Sequence, residues 1–166
     1  MWGFVWNIFN KDKNMELRDR ALEIAITQIG QKEDPIGSNW GHPVKDYLAA
    51  VGITFPASWC MAFVYWCYVG AAKYLAILPI PLIRSGGVLH VWENTSSKRR
   101  FSTPEIGDIF IIDFGHGLGH TGIVEYIDGE FIHTVEGNTN DTGSREGIEV
   151  CRRRRTIKSM KGFIRI

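Results

Sequence analysis

Residues 107–136 read GDIFIIDFGHGLGHTGIVEYIDGEFIHTVE, and this stretch decides the fold class. It contains three runs rich in β-branched and aromatic residues, Gly107–Phe114, Thr121–Ile127 and Glu130–Glu136, separated by glycine-containing turns. Asp128-Gly129 between the second and third runs is a tight-hairpin signal. Two more strand-like runs follow, Gly147–Arg152 and Gly162–Ile166. The last third of the chain is therefore expected to form an antiparallel sheet.

Upstream the pattern changes to helices. Met15–Ile29 carries Leu17, Ala21, Ile24, Ala25 and Gln28 on one rough stripe, with Gly30 placed to close the helix. The segment QKEDPIGSNWGHP is a loop, and Pro43–Val51 a short helix ending at Gly52. Ser58 is a good N-cap, which puts Trp59 and Cys60 in the first turn of a helix running through Lys73. That helix is apolar on nearly every side, so it belongs inside the domain. Ser85-Gly86-Gly87 precedes a short helix carrying Trp92. Helices first and an antiparallel sheet after is an α+β layout.

The 166 residues suit one domain, and a formal net charge of +1 argues against a chain built to bind nucleic acid. Arg152–Arg155 form a local basic run, read as a solvated strand end or turn ahead of a polyanion or partner site. From Trp59 to Ile83 the only charge is Lys73, but that lysine sits mid-run and Gly70, Pro79 and Pro81 interrupt it, so no transmembrane segment is expected. Met1–Phe9, MWGFVWNIF, lacks a basic leader region and a small-residue cleavage site. Residues 1–15 are expected to be an appendage, a docking peptide or interfacial anchor, on a single domain spanning 16–166.

The chemistry begins with the three cysteines, Cys60, Cys67 and Cys151. Their odd number and wide spacing fit neither a disulfide framework nor a CxxC site. Cysteine attacks as thiolate, and a helix N-terminus with a histidine beside it favours that form. Cys60 stands at such a start; Cys67 lies two turns deeper in apolar surroundings, and Cys151 is in a late strand. Among the histidines, His120 opens a strand in GHTGIVE, where the small residues Gly119, Thr121 and Gly122 leave room for a substrate to reach the ring. His133 alternates with Phe131 and Val135 and reads as a core or edge residue. Ile132, Thr134 and Glu136 take the opposite face, with Asn138 following if the strand continues. A carboxylate and an amide so placed can hold an imidazole in position, although EGNTN also fits a plain strand end and turn.

SWCMAFVYW, GDIFI, GHTGIVE and VEGNTN, in this order and spacing, resemble the cysteine, histidine-dependent amidohydrolase/peptidase (CHAP) family, relatives of the NlpC-type peptidoglycan hydrolases. PIGSNWGHPVKDYL resembles the loop preceding the catalytic helix in one subgroup, and the resemblance runs from Glu16 to Ile166. It implies a papain-like fold with Cys60 as nucleophile, His120 as general base and Glu136 with Asn138 orienting the histidine. It further implies a thioester route and peptidoglycan as substrate, cut either as an N-acetylmuramoyl-L-alanine amidase or as a peptide endopeptidase.

No cofactor is expected. Some relatives carry an acidic D-x-D calcium loop ahead of the cysteine; PIGSNWGHPV has no paired acids, so no structural calcium is expected. A metal site from His116, His120 and Asp113 is the weaker alternative, because HGLGH sits in a glycine loop rather than on a helix. A non-catalytic wall-binding module, or a deamidase or acyltransferase using the same residues, remains open at this point. The expected setting is a monomer made in the cytoplasm and acting on the wall after release or secretion, as a phage lysin or a secreted effector. Its partners beyond the substrate would be an immunity protein or delivery machinery.

Overall fold

The computed structural model describes residues 16–139 and 147–166, so the appendage expected at 1–15 lies outside the described residues. Four helices come first: α1 (Leu17–Thr27), α2 (Val44–Ala50), α3 (Cys60–Leu75) and α4 (Val88–Asn94). Six strands follow: β1 (Arg100–Phe101), β2 (Ile109–Gly115), β3 (Leu118–Asp128), β4 (Phe131–Thr139), β5 (Glu149–Thr156) and β6 (Gly162–Ile164). They form one antiparallel sheet in the order β1-β6-β2-β3-β4-β5. The α+β expectation holds.

Both faces of the sheet are covered, which explains why IFII in β2 reads as a continuous apolar run rather than an alternating one. Ile109, Ile111, Ile123, Val135, Val150 and Ile164 pack with the helices in the main core. Phe110, Ile112, Val124, Ile132 and Phe163 form a second cluster on the other face, closed by Ile157 and Met160.

α1 buries Leu17, Ala21, Leu22 and Ala25, so the buried stripe includes Leu22 and leaves Ile24 only half-buried. α3 is buried along most of its length and ends at Ala76 in the left-handed region (φ 54°). It stops short of Pro79 and Pro81, and among the described residues no helix is long and apolar enough to cross a membrane. The β3–β4 hairpin closes through Gly129-Glu130, one residue later than the Asp-Gly pair suggests: Asp128 pairs with Phe131, and Gly129 takes φ 59° at the first loop position. The two-residue β1 has no counterpart among the expected strands; its pairing is with β6 alone, across the sequence.

Candidate active site

Cys60 is the first residue of α3. Trp59, not Ser58, is the N-cap, and no side chain caps it. A buried tertiary anchor overrides the local capping preference. The Trp59 indole Nε1 donates to Glu33 Oε1 at 2.9 Å, and its ring stacks on Tyr47 with centroids 5.6 Å apart. Glu33 is itself buried and also accepts from the Asn39 backbone N–H at 3.0 Å. Glu33 is a residue that the sequence reading missed: it lies in the QKEDP loop, where a lone acid carries no signal of burial. The anchor sets Cys60 where the first-turn N–H groups have no intrahelical acceptor.

His120, in β3, is almost fully buried. Its Nε2 lies 2.7 Å from Glu136 Oε2. Glu136 Oε1 accepts from Thr134 Oγ1 at 2.6 Å and from Arg155 Nε at 2.6 Å, and Oε2 accepts from Arg155 Nη2 at 2.6 Å. The Phe110 ring stands 6.0 Å from the imidazole. With Nε2 committed to Glu136, Nδ1 is the ring nitrogen left to face Cys60, and among the described residues it has no hydrogen-bond partner.

The charges reinforce one another. Burial disfavours imidazolium, but the neighbouring Cys60 and then the Glu136 carboxylate push His120 up to about 9. Burial likewise works against an ionised Glu136, but the Arg155 hydrogen bonds, then His120, hold its carboxyl well below the usual range. The site thus favours a protonated histidine between a carboxylate and a thiol.

The glycines around His120 are required by protein packing, and Gly119 also lines the cleft beside Cys60. A Cβ on Gly122 would meet Val135 O at 2.7 Å, Glu136 Cγ at 2.8 Å and Phe110 Cε1 at 2.9 Å. The missing side chain is what lets Glu136 approach the imidazole. A Cβ on Gly119 would meet Ile112 O at 2.9 Å and Val88 Cγ1 at 3.0 Å. Gly137 is the tightest of these in consequence. Its Cβ would fall 2.7 Å from Trp59 Cζ3 and 2.8 Å from Phe63 Cγ, both rings fixed in the core. Gly137→Ala should therefore cost about 1–3 kcal/mol in thermal or denaturant unfolding. It should also lower activity, because the displaced indole carries the start of α3.

Asn138 is buried and has φ 55°, which asparagine tolerates better than most residues. The register shifts between Glu136 and Thr139, so the alternation does not carry through to it. Among the described residues neither Asn138 Oδ1 nor Nδ2 has a hydrogen-bond partner. Glu136 alone of the expected pair touches His120; Asn138 instead lines the cleft beside Cys60. That cleft, of about 140 Å³, is otherwise bounded by Ser58, Gly86, Gly87, Val88, Gly117, Leu118 and Gly119. A larger, shallower depression at Gly129, Glu130 and Thr156–Ser159 contains neither cysteine nor histidine.

The remaining sequence candidates stand apart. His116 is exposed in the β2–β3 turn, and Asp113 accepts from Lys161 Nζ at 2.8 Å. Neither meets His120, and among the described residues no group of three or more His, Cys, Asp or Glu gathers to hold a metal. His133 stacks on Tyr126 at 4.0 Å. Cys67 is buried in α3, and that burial pushes its thiol well above the ordinary range. Cys151 is half-buried in β5.

The arginine run is neither a turn nor uniformly solvated. It lies within β5 and alternates, with Arg152 bound to Glu125 at 2.8 Å on one side and Arg155 turned to Glu136 on the other.

The family model described as CHAP domain matches residues 52–138, which contain Cys60, His120, Glu136 and Asn138. Among solved structures, the crystal structure of Ly7917 superposes with a TM-score of 0.53 at 15% sequence identity, over 89% of this chain and 61% of that one. At that identity the likeness concerns the fold alone, and the chain spans 61% of the length of that structure. No curated protein matches the chain.

Proposed function

The chain belongs to the CHAP domain family, which is generally hydrolytic and of the cysteine/histidine amidase or peptidase type; on that premise we propose that it cleaves an amide bond of bacterial peptidoglycan with Cys60 as nucleophile and His120 as acid–base group. The observation that carries this reading is the buried hydrogen-bond chain from Arg155 through Glu136 to His120, with Cys60 beside the imidazole at the head of a helix and on the wall of a cleft.

The reaction follows from the positions. The Cys60 thiolate attacks the amide carbon, and the carbonyl oxygen takes the negative charge. The Cys60 backbone N–H at the helix start is one donor to that oxyanion. The Asn138 side-chain amide, buried beside Cys60 and without a partner among the described residues, is the second. Protonated His120 gives its proton to the leaving nitrogen as the C–N bond breaks, leaving a thioester. Neutral His120 then takes a proton from water, whose oxygen attacks the thioester and returns Cys60 as thiolate. Glu136 stabilises the imidazolium at both stages without accepting the proton. In this reading the enzyme works on the wall, outside the cytoplasm, after release or secretion.

The role given to Asn138 is testable on its own. Asn138→Gly keeps the left-handed backbone at no steric cost, so the fold should be retained. Loss of one oxyanion donor should lower kcat by on the order of 10²–10³ with little change in KM. A variant with wild-type kcat would remove Asn138 from the chemistry.

The test of the whole reading is digestion of purified peptidoglycan of several chemotypes, followed by mass spectrometry. Soluble fragments from the native protein are expected. Muropeptide masses that release free stem peptide from sugar identify an amidase, and masses that split the stem or crossbridge identify an endopeptidase. Intact walls from every chemotype, with folded protein, would rule out peptidoglycan hydrolysis.

A further inference from the structure

The proposed reaction makes no direct use of the arginine run at 152–155. Strand alternation leaves Arg152 and Arg154 exposed and turns Arg153 and Arg155 toward the second face of the sheet. Register pairs Ile132 with Arg155, Thr134 with Arg153 and Glu136 with Cys151. The Arg155 side chain passes the Phe110 ring, 5.7 Å from its centroid, and ends on both oxygens of Glu136 at 2.6 Å each. The Glu136 side chain is fully buried, and that of Arg155 is 14% exposed.

A carboxylate out of reach of water does not stay ionised unless something replaces its hydration. Two parallel charge-assisted bonds from one planar guanidinium do this and also fix the rotation of the carboxylate plane. The plane matters here because Oε2 must face the His120 ring at 2.7 Å. Thr134 contributes a hydroxyl to Oε1 but no charge. The other charged or titratable groups around Glu136 are His120 from β3 and Arg153 and Cys151 from β5, with Cys60 from α3 beyond the imidazole.

We infer that Arg155 is a positioning residue of this active site, holding Glu136 ionised and oriented so that Glu136 keeps His120 a proton-bearing partner of Cys60. It never touches substrate. The inference rests on the Cys60–His120 reading above, so its test avoids the wall substrate. The readout is the pH dependence of Cys60 alkylation by iodoacetamide, located by peptide mass so that Cys67 and Cys151 are counted separately.

The acid limb of Cys60 alkylation in the native protein is the reference. In Arg155→Met, Glu136 takes up a proton at higher pH, the imidazolium is lost with it, and the acid limb should move up by about one to three units. Arg155→Lys restores a charge but not the two-point grip, so its limb should fall between the two. A folded Arg155→Met protein with an unmoved limb, including one slowed equally at every pH, overturns the inference. If Arg155→Met does not fold, Arg155→Gln gives the same reading by the same criterion. A native Cys60 no more reactive in acid than Cys151 would sink the nucleophile reading itself, and this inference with it.

Discussion

Cys60→Ala is expected to bring hydrolysis down to the uncatalysed blank while leaving the fold in place. Removing the nucleophile of a covalent mechanism costs on the order of 10⁶-fold, since what remains is only binding and oxyanion stabilisation. Neither other cysteine can replace it: Cys67 is two turns inside α3, where burial holds its thiol protonated, and Cys151 is on β5. The structural cost is small. Cys60 loses one sulfur atom at the edge of the core, makes no disulfide, and is the first residue of its helix. Stability should change by about 1 kcal/mol or less. His120 loses the contact that raises it most, so its titration should move down while the Glu136 contact persists. Product assays, a thermal melt and a histidine titration by NMR check the three parts. Residual turnover within about tenfold of native would eliminate Cys60 as the nucleophile.

Glu136→Gln has the second-largest expected effect, and it strikes stability and catalysis together. Glutamine keeps the volume and one acceptor but removes the charge that balances Arg155 and protonated His120. Breaking a buried pair by neutralising one partner costs about 3–5 kcal/mol. Arg155 is partly exposed and can recover some hydration, so about 3 kcal/mol is expected, or a fall of roughly 6–12 °C in Tm. Activity should fall by on the order of 10²–10⁴-fold as the imidazolium loses its support.

The pH dependence has a definite sign. His120 is raised from 6.5 to about 9 in the folded protein, so its stabilising contribution is complete below about 6.5 and is lost as pH rises through 9. Glu136 is depressed below 4.5, so its contribution is complete above that value and is lost as the pH falls through its folded-state titration. The stability gap between native and Glu136→Gln proteins should therefore be widest between about pH 4.5 and 6.5 and narrow on either side. A gap that stays flat from pH 5 to 9 would mean that the carboxylate is not coupled to the imidazole.

The two effects share a cause, the burial of a short chain of charges. The sequence shows which residues are involved but not that they are buried. Alternation in FIHTVE correctly separates Ile132, Thr134 and Glu136 from Phe131, His133 and Val135, because the pleat allows no other arrangement. The same reasoning fails at Asn138, where the positive φ after Gly137 breaks the period and turns the side chain to the cleft wall.

By itself the sequence determined the order of helices and strands, the inward position of α3, the strand faces, and Cys60 and His120 as the pair to watch. Those follow from local rules: hydrophobic period, turn chemistry, and where a helix can begin. Tertiary structure alone decided that Trp59 rather than Ser58 caps the helix, because Glu33, distant in sequence, holds the indole. It alone decided that Gly122 and Gly137 are required by neighbouring side chains, and that Arg155 within an apparently solvated run reaches the Glu136 carboxylate. Each of these depends on which strand or loop lies alongside, and a local pattern does not encode its neighbours.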